Sequence, residues 1–197
     1  MGYALAAAAR ERGAKVVLVS GPTPLAAPED VDVIRVQTVE QMREALLLHF
    51  RSSDLVVMAA AVGDFRVATP GRGKLKKADV PATLHLVATP DILAEMGQEK
   101  GGSDRPVLIG FAAETENLDE HGREKMGGKN LDYLVANKVD VPESGFGSTT
   151  NRVVVFCRDG RADRWPLLTK KEVADRLLDQ VILEKFSIPV PGDRPVA

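Results

Sequence analysis

Two segments of the sequence combine small side chains with a carboxylate or an aromatic ring, a combination that suits binding of a flat or phosphorylated ligand. In the first, the small residues 59–63 precede Asp64. Small side chains let a ring or a phosphate approach the backbone, and Asp64 can accept hydrogen bonds from a sugar or an exocyclic amine, or hold a metal. The alternative is that the small residues pack against a helix and that Asp64 lies in a turn.

The second segment, 110–117, has the sequence GFAAETEN. Its glycine and two alanines suit close approach of a ligand, and Phe111 can stack on a base, an interaction that contributes about 1–3 kcal/mol. Asn117 is predicted to cap the following helix. The alternative is a core phenylalanine followed by an ordinary helix start.

Two groups of lysines provide positive charge for phosphates. Lys74 begins the run KLKK, which lies in a Gly-, Pro- and Lys-rich loop of about twenty residues, longer than a compact domain usually contains without a function. A lysine on a mobile loop can close over a polyphosphate and neutralise charge in the transition state. Lys125 and Lys129 are four residues apart, so both fall on one face of a predicted helix. The alternatives are a solvated charge run and two cations that complement a helix C-terminus.

Common signatures of other chemistries are missing from the sequence. It contains no GxxxxGK[ST], GxGxxG, GxSxG, HExxH or CxxC motif. His49, His85 and His121 are far apart and are interpreted as surface or half-buried residues. Cys157 lies in an apolar stretch and is predicted to be an inert buried thiol.

Apolar runs of strand length alternate with segments of helical period, which predicts an α/β fold with a Rossmann-like, doubly wound and mostly parallel sheet. Thr38 and Gln41 form a predicted capping box, Gly13 ends the first helix, and Pro90 opens a helix with Asp91 in its first turn. The predicted helices are 2–12, 38–50, one from 90, 117–127 and 170–186, and the predicted strands are 15–20, 31–37, 54–61, 83–87, 106–113, 131–136 and 152–157.

The pattern begins on a helix, whereas a doubly wound sheet begins with a strand and a glycine-rich turn. We therefore expect that the first strand is missing. In the usual strand order it would lie between 15–20 and 54–61, so both of these strands would keep an unpaired edge.

The composition limits the class of protein. The 197 residues carry 26 Lys+Arg and 28 Asp+Glu, a net charge of −2 that gives no basic field for nucleic acid. A single cysteine and the absence of a membrane-spanning apolar run favour the cytoplasm, with no membrane partner. Residues 1–186 are predicted to form one nucleotide-binding domain and residues 187–197 a flexible C-terminal tail.

Taken in order, MAAAVGDFR, KLKK, TPDIL, GFAAETEN and KxxxKNLDxxVAN resemble the bacterial phosphopantothenate–cysteine ligase, also called phosphopantothenoylcysteine synthetase. The likeness extends from Met1 to about residue 182. In bacteria this ligase is usually the C-terminal half of a bifunctional coenzyme A biosynthesis protein, behind a flavin-dependent phosphopantothenoylcysteine decarboxylase. The resemblance implies a homodimer and a ligation in which CTP, with Mg²⁺, activates 4′-phosphopantothenate as an acyl-cytidylate before cysteine attacks.

The resemblance also implies roles for individual residues. Lys74 matches a lid lysine that takes part in catalysis. The remaining matches are nucleotide contacts, namely Met58, Ala59, Ala60, Asp64, Pro90, Asp91, Ile92, Leu93, Phe111, Lys125 and Lys129. Family members carry an N-x-S-S-G-K loop before the position of Met1, and this sequence does not, so the isolated chain is expected to be impaired in ligation.

Two other functions are compatible with parts of the sequence. An NAD(P)-binding reductase could use GFAAET and AAAVGD around a dinucleotide, although the glycine fingerprint and a Tyr-x-x-x-Lys pair are missing. A non-catalytic nucleotide-binding module is the second alternative. Both explain single motifs, whereas the ligase resemblance explains the whole series. The ligase further predicts that Asp64, Lys74, Phe111, Lys125 and Lys129 surround a common pocket.

Overall fold

The structure, a computed structural model, describes residues 1–71, 73, 83–114, 118–138 and 148–188. These residues form five α-helices, nine strands and a π-helical segment. In chain order they are α1 Gly2–Glu11, β1 Val17–Ser20, β2 Asp32–Arg35, α2 Val39–Phe50, β3 Leu55–Met58, β4 Phe65–Val67, β5 Leu86–Ala88, α3 Ile92–Lys100, β6 Val107–Glu114, α4 Leu118–Gly128, β7 Tyr133–Lys138, β8 Thr150–Cys157, β9 Ala162–Thr169, α5 Lys170–Val181 and the π-helical segment Ile182–Phe186.

Local sequence determines where the helices begin. The Thr38 side chain accepts a hydrogen bond from the Gln41 N–H, and the Gln41 side chain accepts one from the Thr38 N–H, which confirms the predicted capping box of α2. Thr169 and Glu172 form a second capping box at the start of α5. Gly13, with a φ of +81°, follows α1 as predicted, because glycine adopts this conformation without strain.

The central sheet has five strands in the order β3-β6-β7-β8-β9. β3, β6 and β7 pair in parallel, whereas β8 and β9 continue the sheet in antiparallel pairing. β1 and β2 form a separate parallel pair, and β4 and β5 form a short antiparallel arm. The sequence predicts an unpaired edge on β1 and on β3, and in the described ranges these two strands do belong to separate sheets.

Helices cover both faces of the central sheet, which confirms the predicted α/β doubly wound class. Alternate residues of β6 divide between the two cores: Val107 and Ile109 pack with α1 and α5, and Leu108 packs with α2 and α3. β6 is therefore buried on both faces, which explains its continuous apolar sequence.

Several predicted elements are corrected by the structure. Residues 152–157, predicted as an edge or hairpin strand, are part of β8 and do form a hairpin, in antiparallel pairing with β9. They are not an edge strand, because β9, missed in the sequence, pairs along the outer side of β8. β9 was missed because polar residues and Pro166 interrupt its apolar pattern, as an edge strand permits. The predicted helix 170–186 is an α-helix only to Val181 and continues as a π-helix.

The segment between β3 and α3 also differs from the prediction. β3 ends at Met58, so residues 59–61 lie beyond the strand, and the loop that follows contains β4. Asp91 is the N-cap of α3, one position before the helix, because its side chain accepts a hydrogen bond from the Ala94 N–H. In the described part of the chain, no helix is long and apolar enough to cross a membrane.

Candidate active site

The carboxyl ends of β3 and β6 meet at one edge of the sheet, because the two strands are parallel and Met58 pairs with Gly110. Residues 59–64 leave the sheet at this edge. The Thr89 N–H donates a hydrogen bond of 2.9 Å to the carbonyl oxygen of Asp64. Since Thr89 lies directly before Pro90 and Asp91, this bond brings the Asp64 loop next to the start of α3. The Asp64 side chain is exposed.

A lysine from a different element reaches the start of α3. The Lys129 Nζ lies 2.8 Å from Oδ2 of Asp91, whose Oδ1 accepts the hydrogen bond from the Ala94 N–H. Partial burial opposes ionisation of Asp91, but the hydrogen bonds from Lys129 and the Ala94 N–H outweigh this cost and lower the pKa of Asp91 below its ordinary value. The site therefore holds a cation next to the positive end of α3, where an anion is favoured.

Phe111 lies on the opposite face of the sheet from α3. Its backbone pairs with Val135, and its half-buried ring packs against the core formed with α1 and α5. Ala59 packs against the same core, and a Cβ added to Gly2 would lie 3.9 Å from the Ala59 Cβ. α1 therefore begins beside Ala59, at the same edge of the sheet.

Three predicted contact residues have side chains in the core. Met58, Ile92 and Leu93 are between 1% and 8% exposed and pack together against the α2 and α3 face. Their side chains therefore stabilise the fold, and a ligand can reach these residues only through the backbone. In contrast, Ala60 and Pro90 are exposed.

Gly110 has a different role from the predicted one. The sequence interpretation attributes this glycine to close approach of a ligand. A Cβ at Gly110 would lie 2.7 Å from Cδ2 of Leu93 and 2.9 Å from Cδ1 of Leu131. Both distances are too short for a side chain, so the glycine is explained by core packing between β6 and α3.

The predicted pocket around five residues is tested only in part. Asp64 lies near the Asp91–Lys129 pair, and Lys125 lies one turn earlier in α4, nearer the carboxyl ends of the strands. Phe111 is at the same edge on the other face. Lys74 falls outside the described residues. Two cavities, of about 590 and 300 Å³, lie beside Trp165 and beside Gly13, and neither is lined by a predicted site residue.

Sequence reasoning missed a polar cluster at the amino ends of the strands. The Lys100 ammonium and the Asp132 carboxylate form a buried ion pair, and Asp132 also accepts a hydrogen bond of 2.7 Å from the Leu108 N–H. Nearby, the Asn130 amide donates to the carbonyl oxygens of Gly97 and Gly101. The signal in the sequence was a charged residue, Asp132, placed directly before the apolar strand β7.

The positions of the potential metal ligands indicate how a metal ion could be bound. Among the described residues, no group of three or more His, Cys, Asp or Glu side chains is placed to bind a metal ion. Exposed single carboxylates such as Asp64 suit Mg²⁺ that is bound mainly by substrate phosphates and water, which is the usual arrangement for this ion.

Cys157 is confirmed as a buried thiol. It is 2% exposed at the end of β8, and burial raises its pKa to about 11. A thiol with this pKa is protonated at neutral pH and is a poor nucleophile.

These features define a doubly wound α/β domain with its accessible polar groups at the carboxyl ends of parallel strands, the usual ligand position in this class of fold. The family described as the DNA/pantothenate metabolism flavoprotein C-terminal domain matches residues 1–184. The chain belongs to this family.

Curated relatives include the coenzyme A biosynthesis bifunctional protein CoaBC. The protein from Bacillus subtilis (strain 168) is 43% identical over 182 residues, which are 92% of this chain and 44% of the relative. The Escherichia coli (strain K12) protein is 40% identical over 189 residues, which are 94% of this chain and 46% of the relative. The chain thus spans about half the length of the curated relatives it matches.

A solved structure gives the same result for the fold. The crystal structure of the C-terminal domain of CoaBC aligns with a TM-score of 0.77 and 36% identity. The alignment covers 95% of this chain and 83% of that domain. The order of strands and helices described above is therefore the architecture of this family.

Proposed function

We propose that the chain catalyses the CTP-dependent ligation of 4′-phosphopantothenate and cysteine in coenzyme A biosynthesis. The observation that carries the proposal is the Lys129–Asp91 pair at the first turn of α3, next to the Asp64 loop. This arrangement offers a cation, backbone N–H groups and an exposed carboxylate to one nucleotide. Its occurrence in a chain related to coenzyme A biosynthesis proteins supports a nucleotide-dependent ligase.

A carboxylate must be activated before an amine can displace its oxygen. In the proposed first step, the carboxylate of 4′-phosphopantothenate attacks the α-phosphate of CTP, the bond to the β-phosphate oxygen breaks, and pyrophosphate leaves. The product is an acyl-cytidylate. In the second step, the cysteine amine attacks the acyl carbon, loses a proton and displaces CMP, which leaves the amide 4′-phosphopantothenoylcysteine.

Each predicted residue has a task in this scheme. Lys125 and Lys129 bind the phosphates, and Lys74 neutralises charge that develops on the phosphates in the transition state. Phe111 stacks on the base, and Asp64 accepts a hydrogen bond from the nucleotide. The remaining contacts are made by the backbone at the ends of β3 and at the start of α3, namely at Met58, Ala59, Ala60, Pro90, Asp91, Ile92 and Leu93. Mg²⁺ would enter with the triphosphate and reduce its charge.

The proposed partners follow from the same resemblance. We propose that the ligase is linked to a flavin-dependent decarboxylase, as the word bifunctional in the names of the relatives suggests. We also propose a homodimer. Phe65, Leu84 and Leu86, on or beside the β4–β5 arm, are each at least 58% exposed, and a two-stranded arm is only marginally stable without a partner. A second copy of the chain on this arm would cover them.

Release of pyrophosphate tests the ligase. The protein is supplied with CTP, 4′-phosphopantothenate and cysteine, and release must depend on the first two. In a protein that also carries the N-x-S-S-G-K loop, Lys74→Ala should reduce turnover about 100- to 1000-fold, the usual loss when one group that stabilises the transition state is removed. Lys76→Ala, from the same lysine run, is the matched control and should retain turnover.

Binding distinguishes the alternative functions. Stabilisation against heating by NADPH but not by CTP would favour a reductase. Binding of CTP without any pyrophosphate release, even in a protein that carries the N-x-S-S-G-K loop, would favour a non-catalytic module. For the dimer, sedimentation velocity should show a shift to monomer in Leu86→Ser, and an unchanged mass would exclude the arm as the interface.

A further inference from the structure

The backbone of α3 touches the turn that follows α4. A Cβ added to Gly97 would lie 1.9 Å from the carbonyl oxygen of Lys129 and 2.8 Å from its carbonyl carbon. Since real Cβ atoms do not approach other atoms closer than 3.0 Å, any side chain at Gly97 would displace the Lys129 peptide by about 1 Å or more. Both of these Lys129 atoms belong to the backbone, which cannot rotate out of the way as the end of a side chain can.

Asn130, the residue after Lys129, also bonds to the end of α3. Its backbone has a φ of +52°, and its Nδ2 donates to the carbonyl oxygens of Gly97, at 2.9 Å, and Gly101, at 2.8 Å. These oxygens lie at the C-terminal end of α3, where the Gly97 oxygen also accepts a hydrogen bond of 3.2 Å from the Gly101 N–H. Arg158 in turn donates to the carbonyl and side-chain oxygens of Asn130, which fixes the orientation of the amide.

This contact determines where the Lys129 ammonium lies. The Lys129 peptide is fixed beside Gly97 in the C-terminal half of α3, and its side chain extends along the helix to reach Asp91 at the N-terminal end. The Lys129 side chain is 30% exposed, so its ammonium remains accessible to a ligand. Movement of the peptide by 1 Å would move the ammonium relative to the first turn of α3.

We propose that Gly97 and Asn130 are positioning residues for nucleotide binding. They hold the Lys129 ammonium at the first turn of α3, where it exchanges the Asp91 carboxylate for a phosphate of the bound CTP. The inference rests on the proposed function, because it assigns these residues to the binding of the same nucleotide. Neither residue touches the nucleotide, and both act through Lys129.

Equilibrium titration with Mg·CTP separates a positioning role from a structural one. A purely structural defect reduces the fraction of molecules that bind, and therefore the stoichiometry, while the Kd of the folded molecules stays unchanged. A misplaced Lys129 raises the Kd at unchanged stoichiometry. We expect a rise of at least about tenfold for Gly97→Ala, which matches the loss of one hydrogen bond to a charged group.

Two further variants keep the test decisive if Gly97→Ala does not fold. Asn130→Gly retains the left-handed backbone but removes the amide donors, so it should fold and should also raise the Kd. Gly127→Ala is the matched control, because Gly127 is also helical and an added Cβ would meet open space. It should bind Mg·CTP like the unchanged chain.

Lys129→Ala distinguishes failure of this inference from failure of the proposed function. If Lys129→Ala weakens binding while Gly97→Ala and Asn130→Gly bind with unchanged Kd, the positioning role is wrong and nucleotide binding at Lys129 stands. If the unchanged chain does not bind Mg·CTP, or if Lys129→Ala has no effect on its Kd, both proposals fail.

Discussion

The two edges of the sheet use aspartate in opposite ways. At the amino ends of the strands, Asp132 is 5% exposed and is paired with Lys100 and with the Leu108 N–H. At the carboxyl ends, Asp64 is exposed, and it is the backbone carbonyl of this residue that accepts the hydrogen bond from Thr89. One carboxylate is therefore committed to the fold, whereas the other is accessible to a ligand.

This difference shows how the domain divides stability from chemistry. A group that binds a ligand must be accessible, so it contributes little to stability, and the opposite edge supplies the contacts that fix the helices. The segment Lys129–Asp132 contributes to both stability and ligand binding. Its asparagine and aspartate are bonded at the amino ends of the strands, and its lysine extends toward the carboxyl ends.

The largest effect that we predict is on stability at the amino edge. Asp132→Asn should reduce the free energy of unfolding by about 3–5 kcal/mol, because it leaves the Lys100 charge buried without a counter-ion. Asp64→Asn, the matched change at the carboxyl edge, should alter stability by less than about 0.5 kcal/mol while reducing ligation. Urea denaturation measures both. Equal destabilisation by the two substitutions would contradict the comparison.

A smaller effect is expected at Asp91, which stabilises the fold as the N-cap of α3 and also lies at the edge of the sheet where a ligand would bind. Asp91→Ala removes the N-cap of α3 and should reduce the free energy of unfolding by about 1 kcal/mol. Asp91→Asn keeps a capping oxygen and should reduce it by only a few tenths of a kcal/mol. Thermal unfolding of the two variants gives the comparison. If the two variants are equally destabilised, then the ion pair with Lys129, and not the cap, is what Asp91 contributes.

The pH dependence of the free energy of unfolding should also depend on the charge of Asp91. The pKa of Asp91 is lower in the folded state than in the unfolded state, so its contribution is fully present above the ordinary value of about 4 and is lost as the pH falls through the lowered value. The difference in unfolding free energy between the unchanged chain and Asp91→Asn should therefore shrink below pH 4. A constant difference across this range would show that the Asp91 charge does not contribute.

The smallest effect that we predict is on thiol reactivity. The rate of labelling compares the accessibility of a cysteine at the amino edge of the sheet with that of a cysteine at the carboxyl edge. Cys157, at the amino edge, should react slowly with iodoacetamide at pH 8, because it is buried and its pKa is raised to about 11. Ala61→Cys would place a thiol at an exposed position of the carboxyl edge, where it should react at the rate of a free thiol. Mass spectrometry of the labelled peptides measures both rates. Rapid labelling of Cys157 in the native state would contradict the assigned burial.

The sequence determined the elements whose cause is local. The capping box of Thr38 and Gln41, the end of α1 before Gly13 and the alternation of apolar strands with helices each depend on neighbours in the chain, so they could be predicted. The motif series also predicted the family. β9 could not be predicted, since an edge strand beside solvent need not be apolar, and its pairing with β8 is a tertiary contact.

Only the tertiary structure decided which residues of each motif face the core and which face solvent. Sequence spacing suggested that Gly110 serves a ligand, but Leu93 and Leu131 occupy the space beside it. Gly97 and Lys100 lie in a helix that looks unexceptional in the sequence, and their partners are about thirty residues away. Contacts between residues so distant in the chain depend on how helices pack across a sheet, and no local pattern records that packing.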